Sequence, residues 1–544
     1  MSAADPLDTA KRAALAALAG LPPFEPVASV GYRSQGRLLI VGKGVRVAQA
    51  ADALRAHLSI AVLFTGDQVA LGAAEIEAQS GSIVSLHGHL GAFELQWTKD
   101  GRTAVEQATF DLVLDVHAEP LFAMSQPPLG YFHAADGDAF AHAVAALPEM
   151  VGEFEKPRYF AYKESICAHS RSRKIGCHRC IDICSTQAIS TAGDVVTVDP
   201  HLCMGCGACA TVCPTGAMRY QYPRVADRGV QLRAMLLAWR QHAARAPVIV
   251  FHHAAVDVSD LPAMALPLES WHAASIGIDV LLGAIAHGVA GVVIAADGRE
   301  APHYRAASEN EMRLAETILH ALGYEGKHFV WAGKGAEHGM EEACHALSQV
   351  RTVGRPASFH LTDDKRATIE FAIEHLLRES GWREEAIDLP PDSPFGAVEV
   401  DKRKCTLCLA CAGACPASAL MDGGAQAERP QLRFIERNCV QCGLCVNTCP
   451  ENALSLRPRL LLSEARKREV VLNEDEPFHC LSCGKAIGTR RLIDNVLGKL
   501  AGHSLFQEES ARRRLHLCAD CRVVDMMSRP DEMSVLTGQP TDKG

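Results

Sequence analysis

Two stretches, CTLCLACAGACP and CVQCGLCVNTCP, set cysteine at a fixed interval. The first holds Cys405, Cys408, Cys411 and Cys415 before Pro416; the second holds Cys439, Cys442, Cys445 and Cys449 before Pro450. Each reads Cys-x2-Cys-x2-Cys-x3-Cys-Pro. Thiolates this close in sequence can converge on one soft metal centre, and thiolate ligands select zinc or iron–sulfur chemistry. HLCMGCGACATVCPTGAM repeats the pattern with Cys203, Cys206, Cys209, Cys213 and Pro214. KIGCHRCIDICSTQAIS offers only Cys177, Cys180 and Cys184, with Ser185 in place of proline, although STQAI still parallels PTGAM. The nearest upstream candidate for the missing ligand is Cys167, in ESICAHSRSRKIGC, where the spacing has stretched from two residues to nine. The alternative is a free Cys167 beside a three-cysteine site.

The doubled run resembles the bacterial 4Fe–4S dicluster ferredoxins. In that pattern three closely spaced cysteines hold one cube, and the cysteine before proline ligates the neighbouring cube. The resemblance therefore implies four [4Fe–4S] clusters. Their ligands are Cys405, Cys408, Cys411 and Cys449; Cys439, Cys442, Cys445 and Cys415; Cys203, Cys206, Cys209 and Cys184; and Cys167, Cys177, Cys180 and Cys213. Crossed halves of this kind have no reason to recur in zinc sites. The insert AHSRSRKIG is basic. It could raise the potential of the cluster beside it, since potential follows local charge, or it could be a solvated loop.

Of 21 cysteines, sixteen are thus assigned. Cys480, Cys483, Cys518 and Cys521 form two Cys-x2-Cys knuckles, in FHCLSCGKAIG and LHLCADCRVVD. Four thiolates facing one another make a closed tetrahedral site that favours structural Zn2+, with rubredoxin-like iron as the alternative. His479 and His516 flank the knuckles as supporting or surface groups. Cys344, alone on a helical stretch, reads as a buried apolar residue.

These sites need scaffolds. A chain of 544 residues exceeds one core and implies several domains. The expected class is multidomain α/β plus α+β. Residues 1–30 read as a loose lead-in with a small helix, not a signal peptide. Residues 31–150 read as a Rossmann-like α/β domain: strand Leu38–Val41, a helical period over Val45–His57, strand Ile60–Phe64, and strand-like SIVSLHGHLGAFELQW and DLVLDV. The turn Gly42-Lys43-Gly44-Val45-Arg46-Val47 sits where a dinucleotide fingerprint would, but Val47 replaces the third glycine and no acidic residue closes the second strand. A nucleotide-free turn is the simpler reading. The first cysteine block spans 158–225. Residues 246–355 return to α/β, with adjacent His252 and His253 expected on opposite strand faces rather than as joint ligands. In this region 275–297 is apolar enough to span a bilayer. Asp279, His287 and its glycines argue instead for a buried helix, a turn and a buried strand. A linker follows, with a helix capped by Asp363 or Asp364 and striped by Ile369, Ile373, Leu376 and Leu377. DLPPDSP, 388–394, breaks the chain before the second block, 400–455. A zinc-ribbon-like region, 478–525, and a polar tail end it.

With 54 basic and 64 acidic residues the net charge is −10, which disfavours nucleic acid and acidic membrane surfaces. Clustered cysteines in a long chain point to metal sites in a reducing, cytoplasmic compartment. More widely, the layout looks like a reduced relative of the A-type polypeptide of heterodisulfide reductase. VIVFHH…LLGAIAHGVAGVVIAADGREAPHY…LGYEGKHFVWAG is similar to the delta subunit of methyl-viologen-reducing hydrogenase. That family's 2Fe–2S cysteines are missing here, as are the flavin-binding glycines, so neither group is expected. The sequence shows no nucleophile–base pair, phosphate loop or carboxylate dyad. It implies an electron-transfer subunit that relays single electrons between a dehydrogenase, hydrogenase or ferredoxin and an acceptor. A flavin- or nucleotide-dependent oxidoreductase centred on Gly42–Val47, and a redox sensor or assembly factor, are the alternatives.

Overall fold

The computed structural model describes residues 5–528 except 74–75, 101, 125, 299, 383 and 424–428. The polar tail lies, from residue 529, outside the described residues. The chain packs into two units, neither continuous in sequence. One holds 5–164, Arg179–Ala192 and Val196–Trp382; the other holds Ser165–His178, Gly193–Val195 and 384–528.

The first unit contains two α/β sheets and most of the first cysteine block. The N-terminal sheet runs Val105–Phe110, Phe93–Lys99, Glu77–His87, Ser59–Phe64, Arg37–Gly42, Leu112–Asp115, Tyr131–His133. Its central strands are parallel, and the hairpin at one edge is antiparallel. Parallel strands are covered on both faces and read as unbroken apolar runs, which accounts for buried Leu38, Leu39, Ile40 and Val41. Helix Val45–Leu54 buries Val47, Ala50, Ala51 and Leu54, one helical stripe, against the same core. Strand Phe93–Lys99, next to the edge, alternates instead, with Phe93, Leu95 and Trp97 buried.

The second sheet is wholly parallel: Ala265–Glu269, Val248–His252, Gly291–Ala296, Phe329–Gly333. The stretch 275–297 resolves as expected into helix Ile278–Ala286 and strand Gly291–Ala296, both fully buried. His287 at the turn bonds Gly283 O and Phe359 O through its two ring nitrogens. Among the described residues no helix is long and apolar enough to cross a membrane.

Two expectations need correction. The lead-in is not loose: helix Pro6–Ala19 packs on helix Val225–Arg240, burying Ala10 and Ala14, and Lys11 Nζ donates to Leu261 O at 2.7 Å. Small alanines allow that close approach. Nor is the stretch after 350 a linker. Helix Lys365–Ser380, capped by Asp364 Oδ1 on Ala367 N at 3.0 Å, lays Ile369, Ile373 and Leu376 against helix Ile278–Ala286.

In the second unit, strands Gly396–Val400 and Leu454–Leu461 pair antiparallel around two short helices, Ala410–Ala414 and Leu444–Thr448. The first unit repeats the motif with strands Phe160–Tyr162 and Met218–Tyr220 and helices Arg179–Asp182 and Ala208–Thr211.

Candidate iron–sulfur and zinc sites

Every cysteine is free of disulfide. Cys405, Cys408, Cys411 and Cys449 line one cavity with Leu407, Leu409, Leu432 and Leu454. Cys445 lies among Cys439, Cys442 and Cys415, with Cys411 of the neighbouring set further out. Each fourth cysteine of this block thus lies beside the triplet of the other half. In the first unit Cys184, Cys203, Cys206 and Cys209 line a cavity walled by Phe160, Ala188, Ile189 and Tyr220. Of the remaining set, Cys180 and Cys213 belong to the first unit, and Cys167 and Cys177 to the second.

The same backbone is built three times around the complete triplets. The residues just before and just after the middle cysteine are left-handed: Gly205 and Gly207, Leu407 and Leu409, Gln441 and Gly443. A left-handed leucine or glutamine costs on the order of 1–2 kcal/mol, so the loop geometry overrides residue preference. It turns N–H groups toward sulfur: Gly205 N onto Cys203, Ala208 N onto Cys206, Ala412 N onto Cys411 and Leu444 N onto Cys442. The fourth cysteines share a second loop, in which the residue three further on is left-handed: Gln187, Gly216, Ser418 and Asn452. Ser185 thus keeps the turn that proline makes elsewhere. Ala419 N donates to Cys415 Sγ at 3.3 Å, Ala453 N to Cys449 Sγ at 3.4 Å and Met218 N to Cys213 Sγ at 3.5 Å. Thr186 and Thr215 hydroxyls sit 3.5 and 3.6 Å from the sulfurs of Cys184 and Cys213, the physical content of the STQAI and PTGAM parallel.

Burial pushes the thiols of Cys203, Cys411 and Cys442 up, to about 11, 12 and 12. Sulfur gathered in such dry pockets carries charge only opposite a metal cation. Donor set, shape and N–H···S bonds fit a thiolate-held cube.

The basic insert is a hairpin whose tip, 172–175, is exposed to solvent. Ser170–Arg171 and Lys174–Ile175 form a hairpin, with Ser172 and Arg173 left-handed at its tip and Asp194 accepting from Ser170 Oγ at 2.8 Å. It packs within the second unit on helix Leu444–Thr448. Asn447 Nδ2 donates to Ile175 O at 2.7 Å, and a Cβ on Gly176 would meet Leu444 Cγ at 2.5 Å. Cys177, at its foot, is among the charged neighbours of Cys442.

Cys480, Cys483, Cys518 and Cys521 bring their sulfurs within 4.8 Å of one another. Cys483 Sγ and Cys518 Sγ are 3.7 Å apart. Four thiolates at the usual Zn–S distance of about 2.3 Å form a tetrahedron with edges of about 3.8 Å, so the set fits zinc. Cys518 N donates to Cys480 Sγ at 3.3 Å, and such backbone bonds pull that thiol down to about 6. His479 Nδ1 bonds Gly484 O at 2.9 Å, and the His516 ring rests on Phe478. Cys344 is fully buried in the second sheet's core. His253 falls one residue beyond strand Val248–His252 and its Nδ1 accepts from Ala255 N.

At the fingerprint-like turn, a Cβ on Gly42 would lie 2.4 Å from Val116 Cγ2, and Gly44 N donates to Asp67 O at 2.9 Å. Beside it runs a chain that no motif announces: Thr65 Oγ1 to His117 Nε2 at 2.7 Å, and His117 Nδ1 to buried Asp115 at 2.6 Å. Burial alone would raise the Asp115 carboxyl. Bonds from His117, from Tyr131 and from the N–H of His117 and Leu121 outweigh it and hold the group below its ordinary value.

Residues 175–217 and 438–488 match the family model of a 4Fe-4S dicluster domain, and 404–454 match a second model of the same description. The two cysteine blocks are ferredoxin-type 4Fe–4S dicluster domains. Among curated proteins the chain is similar to "Ferredoxin 7Fe" of Hydrogenibacillus schlegelii, 36% identical over 42 residues. That alignment covers 8% of this chain and 54% of the relative, so the chain spans about half the length of the curated protein it matches.

Proposed function

We propose that the protein is a cytoplasmic electron carrier that holds four [4Fe–4S] clusters and one structural Zn2+ and passes single electrons between redox proteins. When bound, such cubes take up and release one electron at a time with little rearrangement. The observation that carries the reading is the thrice-built triplet loop, each copy with its exchanged fourth cysteine. The fourth set, Cys167, Cys177, Cys180 and Cys213, rests on spacing. The chain's own residues hold the sulfurs, direct N–H dipoles at them and wall them with apolar side chains that exclude water. The partners are a dehydrogenase, hydrogenase or low-potential ferredoxin on one side and an acceptor protein on the other. The kinship to the A-type polypeptide of heterodisulfide reductase and to the hydrogenase delta subunit is part of this proposal and rests on the sequence resemblance. Val116 against Gly42 and the occupied Gly44 N–H favour this reading over a flavin- or nucleotide-dependent oxidoreductase, because pyrophosphate needs close backbone approach and free donors there.

Anaerobic purification with iron, sulfide, zinc and flavin analysis tests it. About sixteen iron, sixteen sulfide and one zinc per chain, without flavin, are expected. About twelve iron would remove the Cys167 set, and stoichiometric flavin would overturn the carrier reading.

A further inference from the structure

The geometry points to Tyr304 as a potential-setting residue for the cube of Cys184, Cys203, Cys206 and Cys209, donating its phenolic hydrogen to Cys206 Sγ while Ser185 orients it. This rests on the proposed function. Tyr304 belongs to helix Pro302–Ala321 of the second α/β sheet, is 1% exposed, and packs with Ala208, Ala274, Ala301, Ile183 and Cys206. Its hydroxyl lies within bonding reach of Cys206 Sγ. On the other side the hydroxyl meets Ser185 Oγ, and Ser185 N donates to it at 3.4 Å. An N–H can only donate, so the phenol oxygen accepts there; the Ser185 hydroxyl can take either role, and when it too donates to that oxygen the phenol's own hydrogen is left for sulfur. The rings of His272 and His303 pack against the phenol at 5.5 and 4.3 Å and fix its direction.

Ser185 stands where the other three half-motifs carry proline. Proline would offer neither the N–H nor the hydroxyl. The departure from the motif and the distant tyrosine are thus one device. It also gives the second α/β sheet, which lacks ligating cysteines of its own, a part in the redox site. A hydrogen bond to a cluster ligand stabilises the reduced, more negative state and raises its potential.

The test is a redox titration of the anaerobic holoprotein followed by EPR, with iron counted in each sample. Tyr304→Phe should move one midpoint to more negative potential, leave the others in place and retain full iron. Ser185→Ala, which keeps the tyrosine but loosens it, should move the same midpoint the same way by less. Unchanged midpoints in both variants at full iron would overturn the inference. If Tyr304→Phe loses the cube, Ser185→Ala alone decides: a negative shift supports the inference and no shift overturns it. Wild-type protein lacking this cube would instead refute the underlying cluster reading, which the iron count separates from a failure of Tyr304 alone.

Discussion

Removing the proposed zinc should unfold part of the C-terminal region and leave the rest of the second unit intact. The buried core around the knuckles consists of Cys480, Leu517 and Cys518, with Ile487 and Cys521 beside them. Burying a leucine contributes about 1.5–3 kcal/mol. A four-thiolate zinc site contributes about 10–16 kcal/mol, several times what this packing can supply. Helix Arg490–Leu500 between the knuckles is fastened differently. Thr489 Oγ1 donates to Thr406 O at 2.8 Å, Asn495 Nδ2 to Glu451 at 2.7 Å and Lys499 Nζ to Glu451 at 2.6 Å, and Ile493 is buried. Chelation, or the double substitution Cys480→Ala/Cys518→Ala, should therefore abolish hydrogen-exchange protection in 477–487 and 509–528. Protection in 490–500 and the iron content should persist. Zinc-free protein with undiminished protection around the knuckles would refute the argument, because packing would then suffice without the metal.

Other expectations follow from the loops and the first sheet. Cys449→Ala with Cys405→Ala should cost one cube, about four iron, whereas Cys449→Ala with Cys439→Ala should cost two, about eight; the opposite pairing in iron analysis would dismiss the crossed ligation. Gly443→Leu imitates Leu409 in open space, so thermal melts should show a loss of about 1–2 kcal/mol with iron retained. Gly207→Leu would set its Cβ 2.6 Å from Ser275 Cβ, and loss of the neighbouring cube is expected. Asp115 has a lowered pKa in the fold, so its stabilisation is complete above the ordinary carboxylate value and fades as pH falls below about 4. Asp115→Asn should cost about 2–4 kcal/mol at pH 7 and flatten the acid limb of a denaturation profile; an unchanged limb would show that the hydrogen bonds do not stabilise the carboxylate.

What could be read in the sequence depended on how local the constraint is. The half-motifs are legible because four cysteines at fixed intervals fall within a dozen residues, as in Cys405–Cys415. The parallel strands are legible as runs such as Leu38–Val41, since burial on both faces removes every polar residue. Left-handed Leu407, Leu409 and Gln441 left no trace, because those side chains do not advertise the conformation that the loop imposes. The role of Ser185 was hidden too: its partner Tyr304 is 119 residues away, and only the folded chain relates them. The hairpin at 170–175 read as a loop because its apolar contact is Leu444, on a distant helix, rather than a neighbour in sequence.

That hairpin bears on how the protein is made. As the chain leaves the ribosome, Ser165–His178 emerges long before Leu444 and Asn447, the residues it packs on. No single cut yields two self-sufficient halves, since removing everything after residue 382 would strip the hairpin of its support. The segment that carries Cys167 and Cys177 thus meets its packing partner only once synthesis has passed Asn447.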